Sequence, residues 1–163
     1  MKRNIRIATR EDVPFILQIY NEAIATTTAT FEIEERTVEG QLEWFSQFNE
    51  NYPLFVMEVD NVIAGYSCIA SFNKKAAYKR TVENSLYVNP NYQGQGVGRE
   101  LLEHTIISTR ELGYHTIIAI ITEGNESSIH LHEKLGFTYA GTLCEVGHKF
   151  GDWQGISYYQ LVL

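Results

Sequence analysis

The stretch "NPNYQGQGVGRELL", residues 89–102, places Gly94, Gly96 and Gly98 directly before a run with helical spacing. Glycines let a backbone approach a ligand closely, and a helix that follows them offers its first N–H groups to an anion. Two familiar versions of such a loop are excluded by the residues. A Walker loop needs a lysine after its last glycine, and none follows here. A dinucleotide fingerprint, Gly-x-Gly-x-x-Gly, needs glycine at 99 counted from Gly94, or at 101 counted from Gly96, and those residues are Arg99 and Leu101. A glycine connection with no ligand stays open on spacing alone. The helix dipole behind the loop favours a small anion such as a pyrophosphate.

Outward from the loop, "TVENSLYV" (81–88) alternates as a strand. Period two puts Glu83, Ser85 and Tyr87 on one face and Asn84, Leu86 and Val88 on the other. Downstream, Leu101, Leu102, Ile106 and Leu112 form one helical stripe with Thr105 and Thr109 between them, and Gly113 marks its end. "TIIAII" (116–121) reads as a short buried strand, and Asn125 can cap a helix over "ESSIHLHEKL" (126–135). Nearer the N-terminus, "NIRIA" is a strand. Thr9 to Asp12 resembles a capping box before a helix through "VPFILQIYNEAIA". "EGQLEWFSQF" is a second helix, and "PLFVMEVDNVIAGYSCIASF" gives two strands turning at Asp60-Asn61. The chain ends in strand-like "FTYAGTL" and "ISYYQLVL".

A chain of 163 residues with 44% hydrophobic content suits one α/β domain over residues 1–163. The net charge of -7 argues against nucleic acid or an anionic membrane as partner. No stretch approaches the ~20 apolar residues of a membrane helix, and the N-terminus lacks the apolar run of a secretory signal. Cys68 and Cys144 form no Cys-x-x-Cys pair, so neither a disulfide framework nor a metal site is expected, and a reducing cytoplasm is the expected location.

Gln93-Gly94-Gln95-Gly96-Val97-Gly98 after "SLYVNPNY" is similar to the Arg/Gln-x-x-Gly-x-Gly/Ala pyrophosphate loop of the GNAT superfamily of N-acetyltransferases. "YNEAI", "TATF", "TVENSLYV", "NESSIHLHEKLGF" and "VGHKFGDW", spread in order over nearly the whole chain, resemble its phosphinothricin and methionine sulfoximine acetyltransferase branch. The resemblance implies a mixed, mostly antiparallel sheet flanked by helices, with acetyl-CoA held where two central strands splay apart. Leu86, Tyr87, Val88, the loop from Gln93 to Gly98, Arg99 and Asn125 are its expected contacts, although helix capping explains Asn125 equally well. Unpaired N–H groups near Val88 are expected to bind the acetyl carbonyl.

Acetyl transfer to an amine needs a neutral nucleophile, yet an ammonium with a pKa near ~10 is almost wholly protonated at pH 7. In the branch, the glutamate of the Thr-x-Glu motif is the proposed general base, and the match falls on Glu83. "LHEKLGF" carries His132 where the wider superfamily has tyrosine; the branch pairs this histidine with the glutamate as a catalytic dyad. An exposed strand carboxylate and a packed helix histidine are the bland alternatives. For the acceptor, Phe31, Tyr78 and Ser85 are expected to wall the pocket. Lys75 is the counterpart of an arginine that grips an acidic group, and Lys149 lies in "VGHKFGDW" with Trp153 near the expected homodimer contact. The expected reaction is acetyl-CoA-dependent acetylation of the α-amine of a small amino acid or analogue. The alternatives are a GNAT enzyme acting on a protein N-terminus, peptide or polyamine, or a CoA-binding regulator without turnover.

Overall fold

The computed structural model describes residues 1–163. Seven strands, β1 (Arg3–Ile7), β2 (Leu54–Val59), β3 (Val62–Ser71), β4 (Thr81–Val88), β5 (Thr116–Thr122), β6 (Thr138–Lys149) and β7 (Asp152–Val162), form one sheet in the order β1-β2-β3-β4-β5-β7-β6. Four helices, α1 (Val13–Thr26), α2 (Val38–Phe45), α3 (Val97–Glu111) and α4 (Glu126–Lys134), flank it. Every neighbouring pair is antiparallel except β4 and β5. This is the mixed, mostly antiparallel sheet that the sequence resemblance implies.

Local chemistry explains most boundaries. Asp60 and Asn61 both take positive φ (49° and 69°), which the tight hairpin between β2 and β3 requires. The Thr9 N–H donates to the Asp12 carboxylate at 2.7 Å, so the capping box exists, but it closes a 3-10 turn over Arg10–Asp12 just ahead of α1. Thr37 accepts from the Gly40 N–H at 3.1 Å and starts α2. In α3 the stripe Leu101, Leu102, Thr105, Ile106 and Thr109 is buried. Leu112 departs from that expectation: it follows the helix as its C-cap and stays exposed.

The C-terminal hairpin is longer than alternation suggests. β6 runs on to Lys149 and β7 starts at Asp152, around Phe150 and Gly151 at positive φ, so "VGHKFGDW" is a hairpin end. The period is hidden because β6 is an edge strand and mostly exposed. It is also broken by an irregular register between Leu143 and Gly147, with Glu145 at a φ of 52°.

The two sheet faces carry separate cores. On one, α1 contributes Ile16, Ile19, Tyr20 and Ile24 against Leu54, Val56 and Tyr66. On the other, α3 sets Leu102 and Ile106 near Ile69 and Ile117, and Val97 and Leu101 near Phe55 and Met57. A hydrogen bond of 2.7 Å between the buried hydroxyls of Ser67 and Thr105 ties β3 to α3.

One pairing controls the site. β4 and β5 pair only at Thr81–Thr116, Val82–Ile117 and Glu83–Ile118. Beyond these, β4 keeps β3 as its partner as far as Val88, and β5 keeps β7 as far as Thr122. The two strands therefore splay apart after Glu83.

Gly65 lies where β3, β4 and α3 meet. A Cβ there would stand 2.9 Å from the Tyr87 carbonyl oxygen, 3.1 Å from Leu101 Cδ1 and 3.2 Å from Val97 Cγ1. Gly65→Ala should therefore lower unfolding stability by about 1–3 kcal/mol, as overpacking does. Urea denaturation followed by fluorescence checks this, and an unchanged midpoint would mean that α3 moves away freely.

Candidate active site

The gap between β4 and β5 opens into a cavity of about 320 Å³. Glu83, Asn84, Ser85, Leu86 and Tyr87 line it from β4, and Ala119 to Thr122 line it from β5. Asn125, Ser128 and His132 enter from α4 and its cap, while Phe31, Val146 and Ile156 close the far wall. Phe31 packs against Gly147 so tightly that a Cβ there would come within 2.4 Å of its ring.

Glu83 is the only Asp, Glu, Lys or Arg in this lining. Burial pushes its carboxyl above the usual carboxylate range, and desolvation is the sole cause. His132 is 3% exposed, and burial lowers its imidazole below the ordinary histidine value, partly offset by the Ser128 carbonyl. Sequence alternation sets Glu83 and Asn84 on opposite faces of β4, and it is Asn84 that meets the imidazole, Nδ2 to Nε2 at 3.2 Å. Glu83 and His132 share the cavity without a hydrogen bond between them. Asn84 is the residue that the sequence analysis passed over; its only signal was its place on the face opposite Glu83.

Around the loop, a larger groove adjoins this cavity and shares Ala29, Leu86, Tyr87, Asn125 and Ser128 with it. Val88, Gln93, Gly94, Gly96, Val97, Gly98 and Arg99 also line the groove. Gly94 and Gly96 lie at φ 73° and 84°; a Cβ on Gly94 would meet nothing within 4 Å, and on Gly96 nothing nearer than 3.7 Å. The first helical bond of α3 runs from the Glu100 N–H to the Gly96 carbonyl at 3.1 Å. The N–H groups of Val97, Gly98 and Arg99 thus have no acceptor one turn earlier, and the open backbone suits a pyrophosphate. Gln95 is placed differently: its carbonyl accepts from Arg3 at 2.7 Å and its amide donates to the Asn91 carbonyl at 3.2 Å. Asn125 accepts weakly from the Ser128 N–H at 3.4 Å as the cap of α4, while lining both spaces.

The other expected acceptor contacts stand further out. Lys75 caps a 3-10 turn over Ala76–Tyr78 and is exposed, and Tyr78 packs its ring on Phe72; neither lines the cavity. Lys149 is buried, and its Nζ donates to the Thr30 carbonyl at 2.9 Å behind the wall that Phe31 forms. Trp153 is 63% exposed on the hairpin.

A half-buried carboxylate thus stands next to a groove that ends at the open N–H groups of a helix start, a layout that suits group transfer from an anionic cosubstrate. The chain belongs to the acetyltransferase (GNAT) family, whose model matches residues 16–137. It is 35% identical over 161 residues to the L-amino acid N-acyltransferase MnaT of Escherichia coli, covering 98% of this chain and 94% of that one. It is 36% identical to the L-methionine sulfoximine/L-methionine sulfone acetyltransferase of Salmonella typhimurium, again over 98% and 94% of the two chains. Among solved structures, the Salmonella typhimurium protein yncA, determined with its cofactor acetyl-CoA, superposes with a TM-score of 0.95 at 35% identity, covering 100% of this chain and 95% of the other.

The environment of Glu83 yields a stability prediction. An acid whose pKa is raised on folding favours the folded state at low pH, and that contribution is lost as pH rises through the folded value. At neutral pH the half-buried, unpaired carboxylate is a net cost. Glu83→Gln should leave the thermal midpoint at pH 7 unchanged or raise it, with the difference vanishing below about pH 4, where the carboxyl is protonated folded or unfolded. A clear fall in the midpoint at pH 7 would show that the carboxylate holds structure together.

Proposed function

We propose that residues 1–163 act as one cytoplasmic acetyltransferase domain that acetylates the α-amine of a small, uncharged-headed amino acid, of the methionine sulfone or sulfoximine kind, from acetyl-CoA. The observation that carries this is Glu83, the lone charged side chain of an otherwise mostly apolar cavity, at the point where β4 and β5 part. Bound acetyl-CoA supplies the activated acetyl thioester. Gly94, Gly96 and the N–H groups of Val97, Gly98 and Arg99 are its proposed pyrophosphate cradle, with Leu86, Tyr87 and Val88 along the splayed strand.

Glu83 takes the proton of the incoming ammonium, directly or through water. Its desolvation makes it a stronger base than a surface glutamate, and the apolar lining disfavours the charged form of the amine. The acceptor's carboxylate meets no cation in the lining, because Lys75 is exposed outside it. A second anionic head, such as the phosphinate of phosphinothricin, adds a further uncompensated charge there, since Lys149 is spent on Thr30. A homodimer is proposed through the exposed apolar side chains Leu143, Val146, Phe150 and Trp153 of the β6–β7 hairpin.

Three measurements test this. By calorimetry, Gly96→Val should weaken acetyl-CoA binding by at least about tenfold, because a branched residue strains the left-handed backbone at φ 84° from which the α3 N–H groups are presented. Glu111→Ala, at the far end of α3, should bind normally, since Glu111 is exposed and lines neither the cavity nor the groove. Equal affinity in both variants would remove the pyrophosphate from this loop.

Glu83→Gln should lower kcat at pH 7 by roughly 10²–10⁴-fold with acetyl-CoA affinity intact, and recover in part at higher pH as the amine sheds its own proton. Full activity at pH 7 would end the general-base role. In a panel assayed by thiol release, methionine sulfone and sulfoximine should exceed phosphinothricin by about tenfold or more in kcat/KM. Acetylation of a peptide or polyamine alone would overturn the acceptor class and leave the chemistry standing.

A further inference from the structure

The mechanism above makes no use of a buried polar cluster on the α4 side of the splay. Asn84 is 7% exposed, yet its Oδ1 is buried with no hydrogen-bond partner. Its Nδ2 lies 3.2 Å from His132 Nε2, while His132 Nδ1 lies 2.7 Å from the Ser128 carbonyl oxygen. That carbonyl can only accept, so Nδ1 carries the hydrogen. In the neutral imidazole the lone pair then sits on Nε2, and only an N–H donor can face it. Asn84 presents that donor, and leaving Oδ1 unpaired is what this costs.

A protonated imidazole reverses the demand at Nε2, which becomes a donor and needs an acceptor. Half a turn of the Asn84 amide brings Oδ1, otherwise orphaned, to that place. We propose that Asn84 is a positioning residue that holds neutral His132 in its Nδ1–H tautomer and, by turning its amide over, accepts from Nε2–H when His132 holds a proton inside the splay. No other side chain has to move for the histidine to take or return a proton beside the acetyl-transfer cavity.

The titratable groups near His132 are Glu83 and Tyr87 of β4, which line the same cavity, and Glu126, His130, Glu133 and Lys134 on α4 itself. None is hydrogen bonded to the imidazole. Burial lowers its value and the Ser128 carbonyl partly offsets this, while Asn84 is the side chain that faces Nε2. The Phe137 ring, with its centroid 4.9 Å from that of the imidazole, adds an apolar wall that keeps the ring from swinging out.

The role in turnover rests on the acetyl-transfer reading of the cavity, but the tautomer and the amide exchange do not, so the test uses the free protein. The ¹⁵N shifts of His132 in the wild-type protein should report Nδ1–H with an unprotonated Nε2 at high pH. Asn84→Asp places an acceptor-only carboxylate against Nε2 and should raise the His132 titration midpoint by roughly one to three units. Asn84→Leu removes the acceptor for the cation and should lower the midpoint further. An Nε2–H tautomer in the wild type, or a midpoint that neither variant moves, would overturn the proposal. If a variant does not fold, the wild-type tautomer alone decides. Absence of acetyl transfer with the expected titrations would instead remove the proposed function and leave the Asn84–His132 pair intact.

Discussion

The short parallel contact between β4 and β5 is the constraint on which the rest of this protein depends. Three residue pairs hold these strands together, and each strand then follows its other neighbour, β3 or β7, through strong antiparallel ladders. Two locally satisfied half-sheets thus share a narrow hinge, and a gap opens in the middle of the molecule without an exposed sheet edge of full length. Glu83 is the last residue of β4 to pair across the hinge, so its position is set by the same backbone bonds that end the pairing. The next five residues, through Val88, run along the gap toward the glycine loop, and α3 starts at the far end of it. Glu83, the open strand edge and the glycine loop therefore follow one another because one strand and one turn lay them out.

The polar groups in this gap run against the ordinary economy of a core. Glu83 sits half-buried without a partner, and Asn84 leaves one amide oxygen unsatisfied. Each costs stability, and a domain tolerates such costs where the surrounding packing is strong. Here it is: Val82 and Ile117 are fully buried at the hinge, and Leu101 and Leu102 pin α3 across the other half. Tyr87, stacked on Tyr66 at 5.5 Å and edge-on to Tyr20 at 5.1 Å, ties the free length of β4 to the α1 side. The splayed strand is thus held rigidly on one edge while the other edge stays open.

Much of this was legible in the chain itself. The glycine loop, the alternation of "TVENSLYV" and the capped helices rest on local rules: φ restrictions at Gly94 and Gly96, period two along a strand, and side chains that accept from the N–H groups of a helix start. Local rules also put Glu83 and Asn84 on opposite faces; the resemblance to the Thr-x-Glu motif singled out Glu83, and nothing gave Asn84 a purpose. The C-terminal hairpin escaped because an exposed, irregular edge strand carries no hydrophobic period, and Leu112 was misplaced because a stripe does not say where its helix stops.

What only the tertiary structure decided is which distant groups share a space. His132 is 48 residues from Asn84 and meets it only because α4 packs over the splay. Phe31 reaches the cavity from a loop after α1, and Lys149 turns from a free cation into a donor for the Thr30 carbonyl 119 residues away. Lys75 and Tyr78, close in sequence to Glu83, fall outside the lining because the 3-10 turn ends before the strand enters the gap. Most strands and helices, the glycine loop and the opposite facing of Glu83 and Asn84 depend on neighbours within a few residues, so the sequence carries them alone. Whether those groups face one another, and which are desolvated, depends on long-range packing, whose partners no local pattern names.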